Sequence, residues 1–116
     1  AGMRALRAGL DAYFPDLPRV FLLGILKDKD IDAMLAALLR PGDQVITVRP
    51  NSERAAAADV VAAIAAGMGL DTHACGDAAA ALAEAQARAR AGNALLVAAG
   101  SLYLVGGIRA MLMTGR

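Results

Sequence analysis

The feature that most constrains this chain is an alternation of short, almost wholly apolar runs with longer segments whose apolar residues recur every three or four positions. Residues 19–25 (RVFLLGI) show no polar/apolar alternation after the first position. That pattern belongs to a strand covered on both faces, as in a parallel sheet. Residues 43–48, 70–75 and 94–98 read as three more strands. Between them lie helical stripes, because side chains three and four positions apart share one face of a helix. Strict alternation of this kind predicts a doubly wound α/β fold, a mostly parallel sheet with helices on both faces in three αβα layers.

The helices can be placed from their stripes and breakers. Met3, Leu6, Leu10, Tyr13 and Phe14 form the face of an opening helix that Pro15 and Pro18 end. Ile31, Met34, Leu35, Leu38 and Leu39 form the face of a second, closed by Pro41-Gly42. Asn51-Ser52-Glu53 is expected to open a third, carrying Val60, Val61, Ile64 and Met68. Gly76-Asp77 starts a fourth, alanine-dense helix with Leu82, Ala85 and Ala89 inward and Glu84, Arg88 and Arg90 outward. A terminal helix after Ser101 carries Leu104, Val105, Ile108, Met111 and Leu112. Folds of this type usually feed each helix from a strand, so a strand upstream of the opening helix is expected.

Composition narrows the function classes. With 116 residues, 58% hydrophobic and 20% charged, the chain has enough apolar material for one packed domain over residues 1–116 and too little charge for disorder. A net charge of +1 argues against nucleic acid or an anionic membrane as partner. Residues 91–108 carry no charge, but Asn93, Ser101 and four glycines interrupt them, so strand, turn and helix is the reading rather than a membrane span. The single Cys75 and single His73 cannot build a disulfide framework or a Cys/His metal site. A reducing cytoplasm is the expected location.

In open α/β sheets ligands collect beyond the carboxyl ends of the strands, where helix starts present free N–H groups. The loop after the first strand contains Lys27, Asp28, Lys29 and Asp30. Its lysines could hold phosphate and its aspartates a metal or ribose hydroxyl; alternatively an aspartate caps the helix and the lysines are solvated. The spacing matches neither glycine-rich dinucleotide motif nor phosphate loop. After the second strand, Arg49 or Arg54 could clamp an anion, or pair with a nearby carboxylate. After the last strand, Ser101 and Tyr103 stand at the mouth of a helix, where plain capping and packing are the alternatives. No nucleophilic triad is spaced anywhere.

Two segments carry a resemblance. Residues 20–30 (VFLLGILKDKD) and 96–109 (LVAAGSLYLVGGIR), with Pro50-Asn-Ser-Glu-Arg54-Ala between them, resemble the C-terminal domain of the folylpolyglutamate synthase/dihydrofolate synthase family within the Mur ligase superfamily. The similarity runs in order along essentially the whole chain. It implies a Rossmann-like lobe of an ATP-dependent ligase that joins L-glutamate to dihydropteroate or folates. The resemblance further implies ATP and Mg2+ as needs of the full-length enzyme, with neither expected tightly bound to this lobe. The phosphate loop and metal ligands would come from the enzyme's own N-terminal ATPase domain.

The same resemblance places Ser101, with Tyr103, at the glutamate end of the cleft. It makes residues 27–30 and Arg54 a nucleotide-facing loop and assigns no metal ligand or complete catalytic set to this chain. The family carries an Asp-Gly-Ala-His-Asn-Pro signature just ahead of a helix like residues 1–14, and this sequence begins after it. The isolated chain is therefore expected to lack ligase activity. Two other readings remain: a stand-alone, non-catalytic α/β ligand-binding or regulatory module, and a Mur-type ligase for another amino acid.

Overall fold

The structure is a computed structural model and describes residues 2–100. Helices and strands alternate as α1 (Gly2–Tyr13), β1 (Arg19–Gly24), α2 (Ile31–Leu38), β2 (Gln44–Val48), α3 (Ala58–Gly67), β3 (Asp71–Cys75), α4 (Ala78–Gly92) and β4 (Leu95–Gly100). The strands form one parallel sheet in the order β3-β2-β1-β4. The helix expected after Ser101 lies outside the described residues.

The pleat explains why β1 has no polar face. Successive side chains of a strand point to opposite sides. Phe21 and Leu23 enter a core with Leu10 of α1, Leu35 and Leu38 of α2 and Val61 of α3. Val20 and Leu22 turn the other way, onto Ala81, Leu82 and Ala85 of α4. Small alanines on α4 let that helix sit close on the sheet, as its inward face Leu82 and Ala85 suggested. The doubly wound arrangement expected from the alternation is therefore the one observed.

Capping follows local chemistry. Asp30 accepts the Ala33 amide at 3.2 Å to start α2, and Asp77 accepts the Ala80 amide at 2.8 Å to start α4. Asn93 ends α4 in the left-handed region, at φ 50°.

The structure corrects three sequence expectations. Tyr13 and Phe14 continue the stripe of α1 on paper, yet Tyr13 is 81% exposed and Phe14 43%. The helix ends there, and the Leu10 and Phe14 carbonyls instead receive the guanidinium of Arg19 at 3.0 and 2.9 Å. The third helix starts at Ala58 rather than at Asn51. Ser52 turns the chain by accepting the Arg54 amide, and the Ala56 amide is committed to the Ile25 carbonyl at 2.8 Å, so it cannot make a helical bond to Ser52. Asp43, expected to begin the second strand, precedes β2 and is buried. Its carboxylate receives Arg7 Nη1 at 2.7 Å and the Arg40 amide at 2.8 Å. Arg7 also donates to the Leu38 carbonyl at 3.1 Å, tying α1 to the end of α2.

Candidate functional site

The chain order sets where a ligand can approach. From β1 the chain moves outward through β2 to β3, then returns to place β4 on the other side of β1. The strand order thus reverses between β1 and β4. In open parallel sheets this switch point opens a crevice beyond the strand carboxyl ends. Gly24 and Gly100 are register partners there. Gly100 has φ +112°, and a Cβ on it would lie 2.3 Å from the Gly24 carbonyl oxygen. Only glycine allows the two strand ends to approach this closely.

Beside this crevice the loop from β1 to α2 is stapled to the loop after β2. Lys27 donates its amide to the Arg54 carbonyl at 2.7 Å, Ala56 donates to Ile25, and Leu26 and Ala55 form an antiparallel bridge. Side chains reinforce the staple, since Arg54 forms an ion pair with Asp28 across the two loops. The hydrogen bond from Arg54, followed by its charge, holds the Asp28 carboxyl below its ordinary value against the opposing effect of desolvation. Both side chains stay open to water, Arg54 at 62% and Asp28 at 45%.

A cavity of about 620 Å3 opens on the other side of the same loop, between α1, α2 and the end of β4. Its lining includes Arg4, Lys29, Asp30, Ala33, Ala99 and Gly100. Ala33 and Ala37, one helical turn apart on α2, line it together with Met34 and with Met3 and Leu6 of α1.

The structure therefore brings the sequence-predicted residues together in part. Lys27, Asp28, Lys29, Asp30 and Arg54 lie on two adjoining loops at the carboxyl edge of the sheet. Asp28 engages Arg54, and Asp30 caps α2, which leaves Lys27 and Lys29 without an ion pair among the described residues. Ser101 and Tyr103 lie outside the described residues; Ser101 directly follows Gly100 in sequence. Arg49 is exposed, as is His73 on β3. Burial, then the charges of Glu84 and Asp77, push the Cys75 thiol up, which keeps it protonated and unreactive at neutral pH.

Two features were not legible in the sequence. Arg4 reads only as a polar position on α1, and nothing in its spacing places it near Lys29. The pairing of Asp28 with Arg54 spans 26 positions and depends on the two loops being adjacent. Among the described residues no group of three or more His, Cys, Asp or Glu side chains gathers as a metal site. No helix among them is long and apolar enough to cross a membrane.

Residues 1–101 match the family described as Mur ligase, glutamate ligase domain. Among solved structures, Mycobacterium tuberculosis folylpolyglutamate synthase complexed with ADP and AMPPCP superposes with a TM-score of 0.82 at 27% identity, covering 99% of this chain and 27% of that one. Thermotoga maritima folylpolyglutamate synthase gives 0.78 at 26% identity, covering 99% and 26%. The bifunctional folylpolyglutamate synthase/dihydrofolate synthase of Yersinia pestis, complexed with AMPPNP and Mn ion, gives 0.80 at 24% identity, covering 96% and 26%. The chain thus spans about a quarter of the length of these enzymes. No curated protein sequence matches it significantly.

Proposed function

This chain belongs to the Mur ligase family as its glutamate ligase domain, and from that membership we propose that it is the C-terminal lobe of an ATP-dependent ligase that adds L-glutamate to dihydropteroate or folates. The observation that carries the reading is the superposition, at 27% identity over 99% of the chain, on a folylpolyglutamate synthase with bound nucleotide. The geometry supports it: the switch point, the Lys-Asp loop and the residue before Ser101 share one edge of the sheet.

In the proposed reaction ATP phosphorylates the carboxylate of the pterin substrate. The glutamate amine then attacks the acyl carbon, a C–N bond forms as the bond to phosphate breaks, and phosphate and ADP leave. The lobe's task is to close over the nucleotide and present glutamate. Lys27 and Lys29, with Asp28, Asp30 and Arg54, face the nucleotide, where cations offset phosphate charge. Ser101 and Tyr103 serve the glutamate end. Among the described residues no group of three or more His, Cys, Asp or Glu side chains gathers as a metal site, and in this reading Mg2+ and the ATP phosphate loop are supplied by an N-terminal ATPase domain.

The test is glutamate-dependent release of ADP and phosphate by the full-length protein carrying this lobe, with dihydropteroate and folate offered separately. Product one glutamate heavier by mass spectrometry is the expected result. Absence of glutamate-dependent turnover with either acceptor overturns the reading. The lobe by itself is expected to give none.

A further inference from the structure

We propose that Asp28 and Arg54 are a positioning pair: each serves the other, and through their contact they hold the turn that carries Lys29, while neither side chain meets the nucleotide itself. The inference rests on the ligase reading above and deepens it by dividing the work among the residues of the Lys-Asp loop.

The loop has two fixed ends and one tie between them. Up to Lys27 it is held by the backbone, through the Ala56 amide on the Ile25 carbonyl at 2.8 Å and the Lys27 amide on the Arg54 carbonyl at 2.7 Å. From Asp30 onward it belongs to the start of α2, where the Asp30 carboxylate takes the Ala33 amide and its carbonyl the Met34 amide at 3.0 Å. Asp28 and Lys29 lie between these anchors. Their backbone has one long bond, from the Lys29 amide to the Leu26 carbonyl at 3.3 Å, and the side-chain bond that ties this turn to another segment is the one from Arg54 to Asp28. Arg54 therefore grips the loop twice, by its carbonyl at Lys27 and by its guanidinium at Asp28.

Charge divides the roles in the same way. A guanidinium in contact with a carboxylate offers an anion little net attraction, and Asp28 itself would repel phosphate. Lys29, the next residue, makes no ion pair among the described residues and faces the end of β4 at Ala99 and Gly100. A lysine is a point charge on a flexible stem, so where it acts depends on how firmly its backbone is held. The pair is exposed on both sides and adds little to global stability, so breaking it should loosen the turn without unfolding the lobe.

The experiment is steady-state kinetics of the full-length protein, with ATP varied, for Asp28→Asn, Arg54→Gln, the two together, and the exchange Asp28→Arg with Arg54→Asp. Equal thermal midpoints verify folding. The expected result is a KM for ATP raised about fivefold in each single variant, no further rise in the double variant, and recovery of most of the loss by the exchange. The sign for Asp28→Asn is decisive, because removing a negative charge beside an anionic substrate would by Coulomb's law alone lower that KM. A KM raised by Arg54→Gln but unchanged or lowered by Asp28→Asn overturns the inference, since Arg54 would then meet the nucleotide directly. Unchanged values in both single variants, multiplying losses in the double variant, or an exchange that recovers nothing overturn it as well. Amide hydrogen exchange at residues 28–29 gives a readout that needs no turnover: it should quicken in both single variants, and unaltered exchange overturns the inference. Failure of the unmutated protein to turn over ATP with glutamate removes the ligase reading and this one with it.

Discussion

Gly100 ends β4 against the carbonyl of Gly24, so close that a Cβ on Gly100 would meet that oxygen at 2.3 Å. The contact joins the two strand ends between which the sheet reverses its order. Gly100→Ala must therefore overcome both a left-handed backbone at φ +112° and a backbone clash that no side-chain rotation relieves. Strain at such a residue costs about 1–3 kcal/mol, before the clash is counted. A lower urea midpoint, with far-UV dichroism preserved, is the expected outcome; an unchanged midpoint would mean that the strands separate freely here.

Arg7 and Asp43 form a buried pair at 2.7 Å, with side-chain exposures of only 10% and 6%. Removing one partner leaves the other charge with less compensation inside the fold, which typically costs about 3–5 kcal/mol. Arg7→Met should therefore destabilise strongly in chemical denaturation. The double variant Arg7→Met, Asp43→Leu should lose less than the sum of the two single changes, because it leaves no buried charge alone.

Asp28 titrates below its ordinary value because Arg54 donates to it. A group with a depressed folded-state pKa contributes its stabilisation above the ordinary value and loses it as pH falls through the lowered one. The ion pair between the two loops should hold at neutral and mildly acidic pH and be lost only as pH falls below the ordinary value of Asp28, while the backbone staple between the loops remains. A carboxyl-carbon NMR titration should show this midpoint, and Arg54→Gln should move it upward. A midpoint unaffected by Arg54→Gln would contradict the ion pair.

Leu35 of α2 is fully buried, whereas Tyr13 of α1 is 81% exposed. Leu35→Ala should cost about 2–5 kcal/mol through lost burial and a cavity. Tyr13→Ala should stay within about 0.5 kcal/mol, as exposed substitutions do. Denaturant midpoints for the two variants separate a core position from an apolar residue that periodicity alone would have placed in the core.

The architecture was open to reading from the sequence because it rests on local repetition. The unbroken apolar run of β1 records burial on both faces, and the three- and four-residue spacing of Ile31, Leu35 and Leu38 records one helix face. These periods are properties of backbone geometry, and they survive without any knowledge of neighbours. The Lys-Asp loop was legible as a site candidate for a similar reason, since parallel strands all deliver their following loops to one edge.

Other features depended on which segments meet in space. The start of α3 moved to Ala58 because the Ala56 amide bonds the carbonyl of Ile25, just beyond the end of β1. Arg7 turns inward because Asp43 waits there, 36 positions along the chain. Arg4 and Lys29 share a cavity only because α1 packs beside α2 and the loop that leads into it. The sequence by itself determined the periodic elements, their order and the edge where ligands can gather, since each follows from short-range backbone geometry. The tertiary structure alone decided which charges are paired, which are left facing a cavity and where irregular segments bend, because those outcomes depend on contacts between residues far apart in the chain.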